Sequence, residues 1–299
     1  MKKLTHMLIL LCLCLAPAAY GHQHDKKEDK RDFAITKLSD NIHVLIGVNG
    51  FTGGNIALLT GEDGVIMIDD SMPPLGDKLK AAIKKVTPGS VDFIINTHVH
   101  ADHTAHNAMF AKEGSWIIGH DNLRKHMAEK GFGMGTPVDP KALPVITFDN
   151  QMTFHLNGQD AKVIHIANAH TNGDAIIHYE KANIIHTGDI MFNKLFPYID
   201  YNSGGSLEGY INGQKKILSL TDEKTTVIPG HGEVATPADL QASIDMLEDS
   251  SKIIKALIDE GLTEDEVVAK NPLQKYHDTW NWGFIHTERM TRQIYNGVK

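Results

Sequence analysis

Cysteine is nearly absent from this 299-residue chain: the only two, Cys12 and Cys14, lie close to its start. If that start is cleaved, no thiol remains. This rules out a disulfide framework, a thiolate nucleophile and a cysteine-held metal. A basic excess is missing as well. The 29 Lys and Arg face 37 Asp and Glu, for a formal charge of -8, which argues against nucleic acid, whose phosphates need a basic surface. Long apolar runs are also lacking. The stretch 7–15 is too short to cross a bilayer as a mature helix, so no stable membrane anchor is expected. What the chain has in excess is histidine, at 18 residues.

The start reads as a secretion signal. Lys2 and Lys3 precede the apolar stretch, and Ala16, Pro17, Ala18, Ala19, Tyr20 and Gly21 follow it. This is the charged, apolar and small-residue order of a cleavable leader, cut after Ala18 or after Gly21. Retention as an anchor is the alternative. Leu11 and Leu13 stand before the cysteines, where a lipoprotein signal needs a small residue. The expected location is periplasmic or secreted. Loss of Lys2 and Lys3 takes the formal charge from -8 to -10. Residues 22–32 are highly charged and read as a disordered tether carrying His22 and His24. Residues 33–299 read as one domain, and with 41% apolar residues in the chain a substantial core is available.

Strand patterns occur at 42–46, 56–59 and 65–68, with a turn at Gly61, Glu62, Asp63 and Gly64. Helical spacing covers 75–86, a short apolar strand covers 93–95, and a helix is expected over 104–112. A strand at 116–118 precedes a loop at 131–144, which is rich in glycine and proline. Strands follow at 145–148, 152–156, 162–166, 175–179 and 183–186, with a last one at 227–228. Helices are expected over 207–220, 238–258, 263–269 and 284–295. Strands followed by helices thus occur twice, which fits two packed sheets with helices outside.

The chemistry concentrates in His98-Val99-His100-Ala101-Asp102-His103. Residues two apart in extended chain point the same way, so His98 and His100 can share one metal. The turn into a helix can aim Asp102 and His103 at a second. Imidazole and carboxylate suit zinc, and also iron or manganese. Three further candidates follow strands and have glycine close by: His170, Asp189 and His231.

This ordered set resembles the metallo-β-lactamase superfamily over nearly all of the chain after residue 42. The resemblance implies an α/β fold, the αβ/βα four-layer sandwich, with metals at one edge. It implies His98, His100 and His170 on a first metal, Asp102, His103 and His231 on a second, and Asp189 bridging both. Asp69 matches the family's early aspartate, which supports a ligand. Two divalent ions, zinc foremost, would make hydroxide available near pH 7, with Asp102 orienting it and moving a proton. The common β-lactamase subclasses carry cysteine or serine at the Asp189 position, and an aspartate there resembles glyoxalase II and lactonases. Export suits a β-lactamase. The expected function is therefore hydrolysis of a small cyclic amide, β-lactams leading. A lactone or thioester hydrolase is the first alternative, and a non-catalytic periplasmic metal-binding protein the second. Lys194 and Phe51 are candidate substrate contacts. Phe132, Met134, Trp280, Trp282 and His286 are weaker ones, with both tryptophans read as core. His106 and His186 read as structural.

Overall fold

The computed structural model describes residues 29–132 and 138–299. The secretion signal, most of the tether, both cysteines, His22, His24 and Met134 lie outside the described residues. The first sheet has seven strands whose spatial order follows the chain: β1 (Asp32–Lys37), β2 (Ile42–Val48), β3 (Ile56–Leu59), β4 (Ile66–Ile68), β5 (Phe93–Ile95), β6 (Trp116–His120) and β7 (Ile146–Phe148). The first four pair antiparallel across short turns, and β4 to β7 pair parallel. Parallel steps need crossovers. They are supplied by α1 (Gly76–Val86), then by α2 (Ala101–Thr104) with α3 (Asn107–Lys112), then by α4 (Asp121–Lys130).

The second sheet has five strands. β8 (Gln151–Leu156), β9 (Gln159–Ile166), β10 (Asp174–Tyr179) and β11 (Ile184–His186) pair antiparallel. β12 (Thr226–Ile228) joins β11 in parallel, after a crossover through α5 (Leu207–Leu218). α6 (Pro237–Asp259), α7 (Glu264–Ala269), α8 (His277–Trp280) and α9 (Thr287–Val298) complete the chain.

Side-chain alternation builds the layers. In β3, Ala57 and Leu59 face the second sheet, while Ile56 and Leu58 face the helices. The same split separates Ile66 and Ile68 from Met67, and Ile95 from Ile94. Between the sheets, Val44, Leu59, Ile68 and Ile118 meet Val163, Ile177, Tyr179 and Ile184. Leu79 and Ile83 of α1 and Phe110 of α3 cover the outer face of the first sheet. Ile217 of α5 and Leu240 of α6 cover Ile176, Ile185 and Val227 on the second. Each such side chain gains roughly 1.5–3 kcal/mol by leaving water. The result is the four-layer α/β sandwich, with helices on both outer faces. A further cluster, including Phe196, Leu247, Trp280 and Ile294, packs the C-terminal helices together.

The departures from the sequence reading have physical causes. β1 is an edge strand that buries only Phe33 fully, so its alternation is faint. Its first residue, Asp32, is the last of the expected tether. α4 buries only Leu123 and Met127, a single i, i+4 pair. The helix expected over 104–112 is two short ones, because Asp70 intervenes. Its Oδ1 accepts from the His106 backbone N–H at 3.0 Å, which ends one turn and starts the next. The last helix begins at Thr287 rather than 284, with the His286 ring accepting from the Arg289 N–H.

Tyr179 is fully buried between the sheets and its hydroxyl has no hydrogen-bond partner. An orphaned hydroxyl costs about 1–3 kcal/mol. Tyr179→Phe should therefore leave stability unchanged or raise it by about 1 kcal/mol in chemical denaturation. Tyr179→Ala should lose about 3–5 kcal/mol through the cavity it leaves. A Phe variant weaker than wild type would reveal a partner for the hydroxyl.

Candidate metal centre

The strand ends of both sheets converge on one edge. β5 leads through Asn96 and Thr97 into His98 and His100, and α2 carries Asp102 and His103. Asn96 pins this turn by donating to the His103 carbonyl and to the Asn107 side chain. From the second sheet, His170 lies between β9 and β10, Asp189 in the turn after β11, and His231 after β12. Asn55 ties the halves together, donating from its side chain to Pro229 and Gly232 and from its backbone to Gly230.

The potential ligand atoms form two groups, each with its members within 4.8 Å of one another: His98, His100, His170 and Asp189, and then Asp102, His103 and His231. His100 Nδ1 lies 3.2 Å from His98 Nε2 and 2.9 Å from His170 Nε2. His231 Nε2 lies 3.3 Å from Asp102 Oδ2 and 3.4 Å from His103 Nε2. Asp189 stands between the groups. Its Oδ2 is 3.6 Å from His98, 3.5 Å from His170 and 3.4 Å from His231, and its Oδ1 is 3.2 Å from His103.

The outward nitrogens fix which atoms face inward. His103 Nδ1 donates to Asp69 at 2.7 Å, and His100 Nε2 to Asp200 at 2.9 Å. His170 Nδ1 donates to the Tyr198 carbonyl at 2.7 Å. The Thr97 hydroxyl gives its proton to Asp69, so it accepts from His98 Nδ1 at 3.0 Å. With those protons committed, the inward nitrogens of His98, His100 and His170 present lone pairs to one another. Bare lone pairs at such distances repel unless a cation lies among them. Asp189 Oδ1 makes the same point, being buried with no hydrogen-bond partner. The donor set therefore fits divalent metal ions, with outward partners orienting the rings of His98, His100, His103 and His170.

Electrostatics divide the cluster. Burial pushes His98 well below the ordinary histidine range, and takes His170 down to about 4. Burial also pushes His231 down, but Asp189 and Asp102 outweigh it and raise it to about 9. His103 is raised in the same way, by Asp189, Asp102 and Asp69 against its burial. Burial would raise Asp102 and Asp189, yet His103 and His231 hold both carboxyls well below their usual range.

Of the other candidates, Phe51 stacks on His231 with ring centres 5.6 Å apart, and is 50% exposed. Lys194 turns to Asp239, at 3.5 Å. Trp280 is buried in the helical cluster, whereas Trp282 stands 6.4 Å from the His231 ring. Phe132 packs beside Leu123 and Met127, and His286 caps α9. His106 donates to the Asp70 carbonyl and His186 to the Asn55 carbonyl, so both are held by the scaffold. Asp200 and Tyr198 were not legible as site residues, since they belong to no spaced motif and reach the site through a loop thirty residues after His170.

A model of the metallo-β-lactamase superfamily matches residues 49–231. This chain belongs to the metallo-β-lactamase superfamily. Its relatives there are metal-dependent hydrolases, and so is this chain. It is 23% identical over 269 residues to the metallo-β-lactamase type 2 of Elizabethkingia meningoseptica, covering 86% of this chain and 99% of that protein. Two solved structures share the fold. The metallo-β-lactamase from Pontibacter korlensis aligns with a TM-score of 0.62 at 16% identity, over 73% of this chain and 99% of that one. The stereoselective inverting sec-alkylsulfatase Pisa1 from a Pseudomonas species aligns with a TM-score of 0.67 at 14% identity, over 88% of this chain and 50% of that one.

The superfamily centre is tightly fitted here. A Cβ on Gly54 would come within 2.1 Å of the His103 ring, and one on Gly230 within 2.0 Å of Asp189 Oδ1. Gly54→Ala should therefore displace His103, and Asp200→Ala should free His100 to rotate. Each should weaken zinc binding about 10–100-fold in competition with a chelator, with the far-ultraviolet circular dichroism preserved. Unchanged affinity in both would show that neither contact governs the centre.

Proposed function

We propose that the chain is an exported hydrolase of small cyclic amides, β-lactams foremost, working with two divalent ions, zinc by preference. The observation that carries the two-ion hydrolase part of this reading is Asp189, whose two oxygens face both ligand groups at 3.2–3.6 Å. His98, His100 and His170 would hold one ion, Asp102, His103 and His231 the other, and Asp189 would be shared. When bound, such ions supply Lewis acidity and lower the pKa of water to roughly 7.

The chain's own residues supply the rest. Asp102 is the carboxylate open to solvent, its side chain 23% exposed against 4% for Asp189. Placed on the open side, it would take a proton and pass it to a leaving group there. Asp69, Asp200 and the Tyr198 carbonyl keep the rings from turning. Phe51 covers His231 and shields that side from water. No cysteine or serine nucleophile takes part. Among the described residues, no helix is long and apolar enough to cross a membrane, and export rests on the leader at the N-terminus.

The β-lactam reading draws on the leader and on the relative from Elizabethkingia meningoseptica. A lactone or thioester hydrolase is the second reading, supported by a carboxylate at 189 where the common β-lactamase subclasses carry cysteine or serine. A periplasmic binding protein would take up metal and hydrolyse nothing.

Zinc-loaded protein should hydrolyse a chromogenic cephalosporin, and chelation should abolish the activity. His100→Ala and Asp102→Ala should each lower turnover by at least roughly a hundredfold with the fold intact. Turnover of lactones or thioesters alone would select the second reading, and no turnover with tight metal binding the third. In a bacterial host, the mature protein should appear in the periplasmic fraction beginning at Ala19 or His22. A cytoplasmic, uncleaved product would overturn export.

A further inference from the structure

The C-terminal segment brings an arc of aromatic rings and one cation to the mouth of the site. Trp282 stands 6.4 Å from His231 and is fixed by donating from Nε1 to the Phe196 carbonyl at 2.9 Å. Phe284 follows, 5.7 Å from Trp282 and 5.6 Å from Tyr198, and is 47% exposed. Tyr198 in turn lies 5.9 Å from the His100 ring and 5.8 Å from the His170 ring. The arc thus runs from Phe51 on His231 round to Tyr198 on the opposite group.

Arg289 lies on this arc. Its guanidinium is 4.2 Å from the Phe284 ring and 5.4 Å from the Tyr198 ring. One of its nitrogens donates to the Phe284 carbonyl at 3.0 Å. Among the described residues no carboxylate is paired with it. Arg292, one turn further along α9, offers the contrast, since it is held by Glu264, Asp265 and Glu288. In a chain of net charge -8, an arginine stacked on aromatic faces with open donors is a local exception. Its planar fork matches a carboxylate, and the rings beneath it hold it in place.

We propose that Arg289 is a substrate-binding residue, taking a carboxylate on a substrate whose apolar body lies across Phe284, Tyr198 and Trp282. This deepens the hydrolase reading and rests on it: the labile bond would sit at the metal centre while the anion is held one aromatic ring away. Lys194, by contrast, is turned to Asp239. The substrates selected are carboxylate-bearing amides or esters with a flat apolar portion, and neutral analogues are disfavoured.

The test uses metal-loaded full chain and two probes of one shape, 2-naphthoate and neutral 2-naphthamide, with binding read by calorimetry. Arg289→Gln should weaken naphthoate about tenfold or more and leave naphthamide unchanged, while Arg289→Lys should keep part of the preference. Equal naphthoate affinity in wild type and Arg289→Gln, as for a carboxylate bound to metal alone, would overturn the proposal. So would equal losses for both probes, which would mean that Arg289 only shapes the rim. The kinetic arm compares a chromogenic cephalosporin with its carboxylate methyl ester. Arg289→Gln should raise KM for the free acid about tenfold, keep kcat within about threefold and leave the ester unaffected. If neither compound is cleaved, the cyclic-amide reading fails, and the binding comparison still decides the subsite. A thermal midpoint matching wild type separates these losses from unfolding.

Discussion

One buried carboxylate, that of Asp189, sets the terms for its surroundings. An ionised carboxyl inside a protein costs several kcal/mol unless cations or donors surround it. The inward nitrogens of four histidines stand within 3.6 Å of its oxygens, and one of those oxygens has no hydrogen bond at all. Arginine or lysine in that position would have sealed the charge permanently. Histidines leave it compensated by whatever cation the site takes up. The strained approach around it follows from the same demand. Asp69 holds His103 from a positive φ of 61°, a conformation unusual for any residue but glycine.

The scaffold explains why such a cluster can exist at an edge. β11 and β12 run parallel and end together, and the loop after β5 of the other sheet meets theirs at a common rim. Central strands such as β3 and β4 are apolar on both faces and leave the polar work to those loops. The site's outer wall comes from elsewhere, from the aromatic and cationic side chains of the segment before and within α9. The potential metal ligands and the wall around them are therefore carried by different parts of the chain.

The sequence made the metal cluster legible because its chemistry is local and repetitive. His98, His100, Asp102 and His103 fall within six residues, and His170, Asp189 and His231 each follow a recognisable strand. The central strands were legible too, as apolar runs bounded by turn residues. What escaped was whatever depends on distant partners. Asp200 reads as an ordinary loop aspartate until folding brings His100 to it, across a separation of 100 residues. Arg289 and Arg292 look alike along α9, and only folding brings the acids of α7 to Arg292 and the ring of Tyr198 to Arg289. β1 and α4 bury too few side chains to leave a clear period.

The two ligand groups draw on both sheets, and this has a consequence beyond catalysis. Neither half of the sandwich owns a complete centre: His98 to His103 come from the first sheet, and His170, Asp189 and His231 from the second. A captured ion is therefore a rivet that binds only the closed form. At a free concentration a hundredfold above its dissociation constant, it would add about 2.7 kcal/mol to the folded state. A molecule without the ion would lack that margin and open more readily to proteases.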